Sequence, residues 1–263
     1  MPARVAGTEL HYDVRGEGPT LLFLHAFPLD LTMWDAPAGA LAQLYRVVRF
    51  DCRGFGRTPP GDGLLTMERI ADDAVALLDH LGLSRAVVIG CSMGGYAAFA
   101  LVRRHAERLR GLALVDTRAE ADTAEAREQR ARLAERVRLE GAAVARDVFL
   151  PRLLGATTQR ERPELVARVE QQILATSARG IVDGLTGLSA RADSTATLAD
   201  VRVPTLVVCG EEDVLTPPAD ARRLAQAIAG ARLEILPGAG HLPSLEAPDA
   251  FTRVLRVFLD GLE

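Results

Sequence analysis

Runs of consecutive apolar residues recur along the chain and predict strands that are buried on both faces. Six such runs occupy residues 20–25, 46–51, 86–90, 112–116, 205–209 and 232–236. Two further segments, residues 4–6 and 9–14, flank Gly7-Thr8 and predict an antiparallel hairpin at the start of the chain. Strands are therefore predicted in the N-terminal and C-terminal parts of the chain, and none is predicted in its middle.

Helical periodicity fills the spaces between these strands. Residues 67–81 place apolar side chains three and four positions apart, with Thr66 as a candidate N-cap and Gly82 at the helix end. A second helix is predicted from about Pro248 to Leu259. Strands that alternate with helices indicate an α/β fold, in which a mostly parallel sheet is covered by helices on both faces.

The middle of the chain breaks this alternation. No strand-like run occurs from residue 118 to residue 200; a capping-box pattern at 122–125 and a proline at 163 predict helices instead. We expect a core of residues 1–117 and 201–263 with a helical cap, or lid, of residues 118–200. Its inner face should be apolar, with its many arginines on the outer surface. The alternative is a helical bundle that packs against the core and has no part in binding.

The segment Gly90-Cys91-Ser92-Met93-Gly94-Gly95 carries the strongest chemical signal. It follows a predicted buried strand and precedes a helix-like run, which is the context that a Gly-x-Ser-x-Gly nucleophile turn requires. Gly90 and Gly94 would remove side chains where strand and helix approach most closely. We expect Ser92 on a strained turn, with its hydroxyl exposed at the carboxyl edge of the sheet.

A serine nucleophile needs a base and an acid that orients the base. Of the five histidines, His241 lies in a glycine-rich loop after the last strand, while His25 ends a central strand and is the other histidine near this edge. Asp213, in the loop after the preceding strand, is the preferred acid. Asp116, at the end of an earlier strand, is its chief rival.

Composition narrows the chemistry further. The chain has 263 residues, a net charge of -4 and no lysine, which excludes a Schiff-base lysine and a P-loop lysine. Its three cysteines lack paired or metal-binding spacing, and no run is apolar enough for a membrane span. We therefore expect a cytoplasmic protein with reduced thiols, no metal or other cofactor, and no nucleic-acid or membrane partner.

Five motifs in this order resemble the α/β-hydrolase fold family over nearly the whole chain. Besides the serine turn, these are the stretches 24–30 and 51–56, the Gly210-x-x-Asp213-x-x-x-Pro217 pattern, and Gly240-His241. The resemblance implies an eight-stranded sheet and a catalytic triad of Ser92, Asp213 and His241. It also implies an oxyanion hole formed by the backbone N–H groups of Phe27 and Met93, although Ala26 stands where the family usually has glycine.

Within this family the chain is similar to small esterases, 3-oxoadipate enol-lactonases and perhydrolases. We expect a carboxylic ester hydrolase that acts on small or medium acyl substrates through an acyl-enzyme. Enol-lactone hydrolysis is the first alternative, carbon–carbon bond hydrolysis the second, and a non-enzymatic ligand receptor or signalling protein the third. Candidate substrate contacts are His25, Phe149, Leu153 and Ile181.

Overall fold

One sheet of eight strands organises the computed structural model of this chain, which describes residues 2–5 and 7–262. The strand order is β1-β2-β4-β3-β5-β6-β7-β8. β1 and β2 form the predicted hairpin, and β2 also runs antiparallel to β4, whereas all other neighbours are parallel. Of the residues predicted for the hairpin, Ala6 lies outside the described residues. The strands are β1 (Pro2–Val5), β2 (Thr8–Arg15), β3 (Thr20–Leu24), β4 (Arg46–Phe50), β5 (Ala86–Cys91), β6 (Leu109–Val115), β7 (Thr205–Gly210) and β8 (Arg232–Leu236).

The central strands are buried along their whole length, as their apolar runs predict. Every residue of β3, β5 and β7 is buried. The last strand, β8, differs: only Leu236 is buried, because β8 lies at the edge of the sheet and has a neighbour on one side only. The prediction of a mostly parallel sheet flanked by helices is confirmed.

Helices that connect the strands cover the sheet. They are α1 (Asp35–Leu41), α2 (Met67–His80), α3 (Met93–Arg104), α9 (Pro218–Ala227), α10 (Pro243–Glu246) and α11 (Pro248–Asp260). Thr66 caps α2 as predicted, since its side chain accepts a hydrogen bond from the backbone N–H of Arg69 at 3.0 Å. None of the described helices has the length and apolar character that a membrane crossing needs.

Five helices lie between β6 and β7, where the described chain contains no strand. They are α4 (Ala124–Glu140), α5 (Ala142–Leu153), α6 (Ala156–Glu161), α7 (Pro163–Ala175) and α8 (Ala178–Ala190). Thr123 is the N-cap of α4, whereas Asp122 binds Arg191 and Arg130 instead of capping. Packing of α4 on α8 and of α5 on α7 makes these helices one layer.

Candidate active site

Ser92 occupies the turn between β5 and α3, in a backbone conformation that side chains rarely adopt. Its φ is 52°, and Asp116 is the only other non-glycine residue of the described chain with a positive φ. The turn is held on both sides: the Ser92 N–H donates to the Val115 carbonyl at 2.9 Å, and the Ser92 carbonyl accepts from Tyr96 N–H and the Thr117 hydroxyl. Such a strained residue persists only where its surroundings determine its conformation.

The two glycines of the motif allow this turn to form. A Cβ atom on Gly90 would lie 2.3 Å from the Gly94 carbonyl oxygen, and one on Gly94 would lie 2.2 Å from the Leu24 carbonyl oxygen. Both distances are far below van der Waals contact. The expectation that these glycines permit close approach of β5 and α3 is confirmed, and Gly94 also lets α3 approach the end of β3.

His241 lies in the loop after β8, and Asp213 lies in the loop after β7. The His241 Nδ1 atom is 2.8 Å from Asp213 Oδ2, and both side chains are buried. The carboxylate also accepts from the backbone N–H groups of Leu215 and Thr216 and from the Thr216 hydroxyl at 2.7 Å. These donors hold the carboxylate in place, and the carboxylate in turn orients the imidazole so that Nε2 is left for chemistry.

Asp213 is ionised despite its burial. Burial alone would raise the pKa of its carboxyl, but the neighbouring His241 and the hydrogen bonds from His241 and Thr216 outweigh burial and lower the pKa to about 2. The charge next to His241 is therefore present at neutral pH. It can stabilise an imidazolium as soon as the histidine accepts a proton.

Asp116 lies beside Asp213 but does not contact His241. One carboxyl oxygen accepts from the Gly210 N–H at 2.8 Å, while the other is buried and has no hydrogen-bond partner among the described residues. Burial and the nearby Asp213 charge raise the pKa of Asp116 well above its ordinary value. The two acids thus differ in environment: the pKa of Asp213 is lowered and the pKa of Asp116 is raised.

Asp116, Asp213 and Cys209 form a buried group whose potential ligand atoms lie within 4.8 Å of one another. Their chemistry does not fit a metal ion. Asp213 is engaged by His241 and Thr216, and burial raises the pKa of the Cys209 thiol, which donates toward the Gly210 carbonyl at 3.2 Å. A protonated acid and a protonated thiol are poor ligands.

Ser92 and His241 line the same cavity, which has a volume of about 480 Å³. The Ser92 hydroxyl has no hydrogen-bond partner within the described chain, so the Ser–His bond is not formed in this structure. Catalytic hydrogen bonds are often long in unliganded enzymes and tighten when substrate binds. The walls come from the core and from α4, α5 and α8, with Phe27, Tyr96, Arg118, Asp122, Ala126, Gln129, Arg130, Arg132, Leu133, Arg136, Val148, Phe149, Arg152, Leu188, Leu215 and Thr216 lining them.

Two backbone donors near Ser92 are unused. Neither the Phe27 N–H nor the Met93 N–H donates a hydrogen bond to any residue that the structure describes. Ala26 fits its position without a positive φ, and its carbonyl accepts from the Leu29 N–H at 3.0 Å in a tight turn. The alanine that replaces the usual glycine therefore introduces no left-handed strain.

The four candidate substrate contacts differ in position. Phe149 lines the cavity and stacks edge-on against Phe27, with ring centroids 5.2 Å apart. Leu153 and Ile181 do not line it, because both are packed in the hydrophobic core.

His25, the fourth, also lies outside the cavity. It is fully buried: its Nε2 accepts from the Cys52 N–H at 2.9 Å, which leaves Nδ1 to donate to the Ala26 carbonyl at 3.0 Å. Both ring nitrogens are used, so His25 stabilises the loops after β3 and β4 and is not a substrate contact.

The inner face of the inserted helices is less apolar than expected. Five arginines line the cavity, which corrects the expectation that they lie on the outer surface. The signal was present in α4: Ala126, Gln129, Leu133 and Arg136 recur at helical spacing on one face. A hydrophobic criterion misses this stripe because it mixes polar and apolar residues.

Comparison with known proteins shows the family to which this chain belongs. A family model described as alpha/beta hydrolase fold matches residues 19–248. A thermophilic esterase from Thermogutta terrifontis, solved with malate bound, is 39% identical with a TM-score of 0.96, covering 100% of this chain and 98% of that one. The enol-lactonase from Burkholderia xenovorans is 36% identical with a TM-score of 0.92, covering 99% and 100%. The 3-oxoadipate enol-lactonase 2 of Acinetobacter baylyi is 29% identical over 95% of this chain and 92% of its own length.

The raised pKa of Asp116 predicts that the substitution Asp116→Asn stabilises the folded protein. Because its pKa is raised in the folded state, the native protein loses stability as pH rises from the unfolded pKa of about 3.9 toward the folded pKa. Asparagine has the same side-chain shape as a protonated aspartic acid, and its amide N–H group is a donor that does not titrate. It also tolerates the positive φ of this position. We expect a higher Tm at pH 7, about 2–4 °C for each kcal/mol gained, measured by calorimetry.

The gain should shrink toward pH 4, because the destabilisation caused by the raised pKa fades as pH falls to the unfolded pKa of about 3.9. Asp200→Asn, at an exposed position, is the matched control and should change Tm little at either pH. An Asp116→Asn variant that is destabilised equally at pH 4 and pH 7 would contradict a protonated Asp116.

Proposed function

Because the chain belongs to the α/β-hydrolase fold family, we propose that it is a carboxylic ester hydrolase with Ser92, His241 and Asp213 as its catalytic triad. One observation carries this proposal. A buried, ionised Asp213 orients His241 through a 2.8 Å contact, and His241 shares a cavity with a serine on a strained turn. These are the roles that nucleophilic acyl transfer requires.

The first half of the reaction forms an acyl-enzyme. His241 Nε2 accepts the Ser92 proton as the serine oxygen attacks the ester carbonyl, and Asp213 stabilises the resulting imidazolium. The unused N–H groups of Phe27 and Met93 bind the oxyanion of the tetrahedral intermediate. The intermediate collapses when His241 returns the proton to the leaving alcohol.

The second half reverses these roles with water as the nucleophile. His241 removes a proton from water, the hydroxide attacks the acyl carbonyl, and the same two N–H groups bind the second oxyanion. Release of Ser92 yields the carboxylic acid. No step draws on a cofactor.

Esters and lactones are both compatible with this chemistry. The esterase and the enol-lactonases reported above support the two substrate classes, and a lactone is an ester whose leaving alcohol stays attached. A cavity of about 480 Å³ fits small or medium substrates. We place ester hydrolysis first and enol-lactone hydrolysis second, and the buried free cysteines fit the expected cytoplasmic location.

The inserted helices are proposed to act as a cap over this site. Gln129, Leu133 and Arg136 of α4 and Val148, Phe149 and Arg152 of α5 line the cavity that contains Ser92. Residues 118–200 would then shape the acyl pocket and exclude water from it. In this proposal the inserted helices select the substrate, and the core that carries Ser92, Asp213 and His241 cleaves the ester bond.

Substitution of the nucleophile tests the mechanism most directly. Ser92→Ala should abolish covalent labelling by a fluorophosphonate, detected by mass spectrometry, and lower kcat for p-nitrophenyl esters by several orders of magnitude. The matched control is Ser84→Ala, which removes an exposed hydroxyl elsewhere. Near-native ester turnover by the Ser92→Ala variant would exclude this mechanism. If the fluorophosphonate labels Ser92 of the wild-type protein but that protein hydrolyses no ester, a ligand receptor is favoured.

The assignment of the acid is tested by comparing two asparagine variants. Asp213→Asn should lower kcat by about 10⁴, because asparagine favours the wrong imidazole tautomer. Asp116→Asn should leave kcat within about tenfold, because that carboxyl is uncharged and does not contact His241. If the losses are reversed, Asp116 is the catalytic acid.

Acyl-chain selectivity tests the cap. Phe149→Ala enlarges the cavity, so kcat/KM should shift toward longer esters by about 1–3 kcal/mol relative to short ones. Leu153→Ala on the same helix is the control, since Leu153 is buried outside the cavity. A length-independent change in both variants would show that the insertion only packs against the core.

A further inference from the structure

The cavity that contains Ser92 and His241 is strongly basic. Arg118, Arg130, Arg132, Arg136 and Arg152 line it, whereas Asp122 is the only acidic residue among the described lining residues. The whole chain has a net charge of -4, so this excess is a local property of the site. Clefts lined by one sign of charge concentrate ligands of the opposite sign.

The one acidic residue of the wall is already bound by other arginines. Asp122 accepts from Arg130 Nε at 2.5 Å and from Arg191 Nη1 at 2.7 Å. Arg118 reaches Asp122 and Asp220 only at 3.9 Å, outside hydrogen-bond distance. Arg118 therefore has two carboxylates at ion-pair distance but a hydrogen bond to neither.

Arg118 and Arg152 are the two wall arginines that form no hydrogen bond to a carboxylate of the described chain. Arg118 Nε is buried and has no hydrogen-bond partner among the described residues, and Arg152 forms no ion pair with any of them. Arg132 and Arg136 pair with Glu128 and Glu140, but these pairs are exposed and weak. Neither Arg118 nor Arg152 forms a hydrogen bond to a described residue, so their terminal nitrogens that face the cavity can donate to a ligand there.

We propose that the substrate is an ester or lactone that carries its own carboxylate, which Arg118 and Arg152 bind while the scissile carbonyl lies at Ser92. This inference rests on the proposed ester hydrolysis. The planar guanidinium matches a carboxylate with paired donors, and the apolar Leu133, Val148 and Phe149 fit the methylene groups between carboxylate and ester. Hydrolysis adds water across the acyl–oxygen bond, so the half-ester of a dicarboxylic acid yields the dicarboxylate and an alcohol.

A pair of nearly isosteric substrates tests the charge requirement. Monoethyl glutarate carries the carboxylate, and ethyl glutaramate replaces it with a neutral amide of the same shape. We expect kcat/KM, measured by NMR detection of ethanol, to favour the acid by about tenfold or more. This preference should weaken with added salt, whereas turnover of the amide should not.

Two variants locate the recognition. Arg118→Gln and Arg152→Gln should each lower the acid-over-amide preference in kcat/KM by about tenfold. Arg152 is exposed, so its variant tests the inference even if Arg118→Gln is unstable. Arg138→Gln is the matched control: it removes the same charge from α4 at an exposed position outside the cavity and should keep the preference.

Binding to the Ser92→Ala variant separates this inference from the proposed function. Calorimetric titration should show tighter binding of glutarate than of neutral glutaramide, and Arg152→Gln in this background should abolish the difference. Equal hydrolysis of both esters, or equal binding of both ligands, overturns the inference and leaves ester hydrolysis standing. If the Ser92→Ala variant prefers glutarate but the wild-type protein hydrolyses neither ester, carboxylate recognition is supported and the proposed ester hydrolysis is overturned.

Discussion

The strained backbone at Ser92 is the constraint on which the rest of the site depends. A non-glycine residue at φ 52° costs on the order of 1–3 kcal/mol, and the fold holds it there through hydrogen bonds on both sides of the residue. Close approach of β5, α3 and β3 is possible only because Gly90 and Gly94 lack Cβ atoms. The same turn starts α3 at Met93 and leaves its N–H unused beside the serine hydroxyl.

A second positive φ, at Asp116, occurs at the end of the neighbouring strand and brings a second carboxyl next to Asp213. Two negative charges in one buried place repel each other, so one carboxyl must hold a proton. The hydrogen-bond donors around each carboxyl determine which of the two has the higher pKa. Asp213 has His241 and three donors from Leu215 and Thr216, whereas Asp116 has one donor from Gly210. The His241 and Thr216 contacts lower the pKa of Asp213 and so preserve the charge that His241 requires.

The sequence predicts the fold and the three triad candidates better than it predicts the other residues of the candidate site. The strands follow from apolar runs, and chain order alone brings Ser92, Asp213 and His241 to the carboxyl edge of the parallel strands. Residues whose role depends on tertiary neighbours were not predictable. His25 has the right position in the chain, but the Cys52 N–H and the Ala26 carbonyl occupy its ring nitrogens. Leu153 shares α5 with Phe149, yet it faces the hydrophobic core.

The arginines of the insertion show why polarity along a helix does not determine which surface a residue joins. The α4 helix buries Ala134 and Val137 fully, while its neighbouring stripe of Gln129, Leu133 and Arg136 faces the cavity. Long arginine side chains can pack their methylene groups against apolar neighbours and still present a charge to a ligand. An arginine that looks like helix surface in the sequence can therefore line the cavity and remain exposed to solvent. Its environment depends on nearby carboxylates, and for Arg118 those of Asp122 and Asp220 lie 3.9 Å away and accept hydrogen bonds from other arginines.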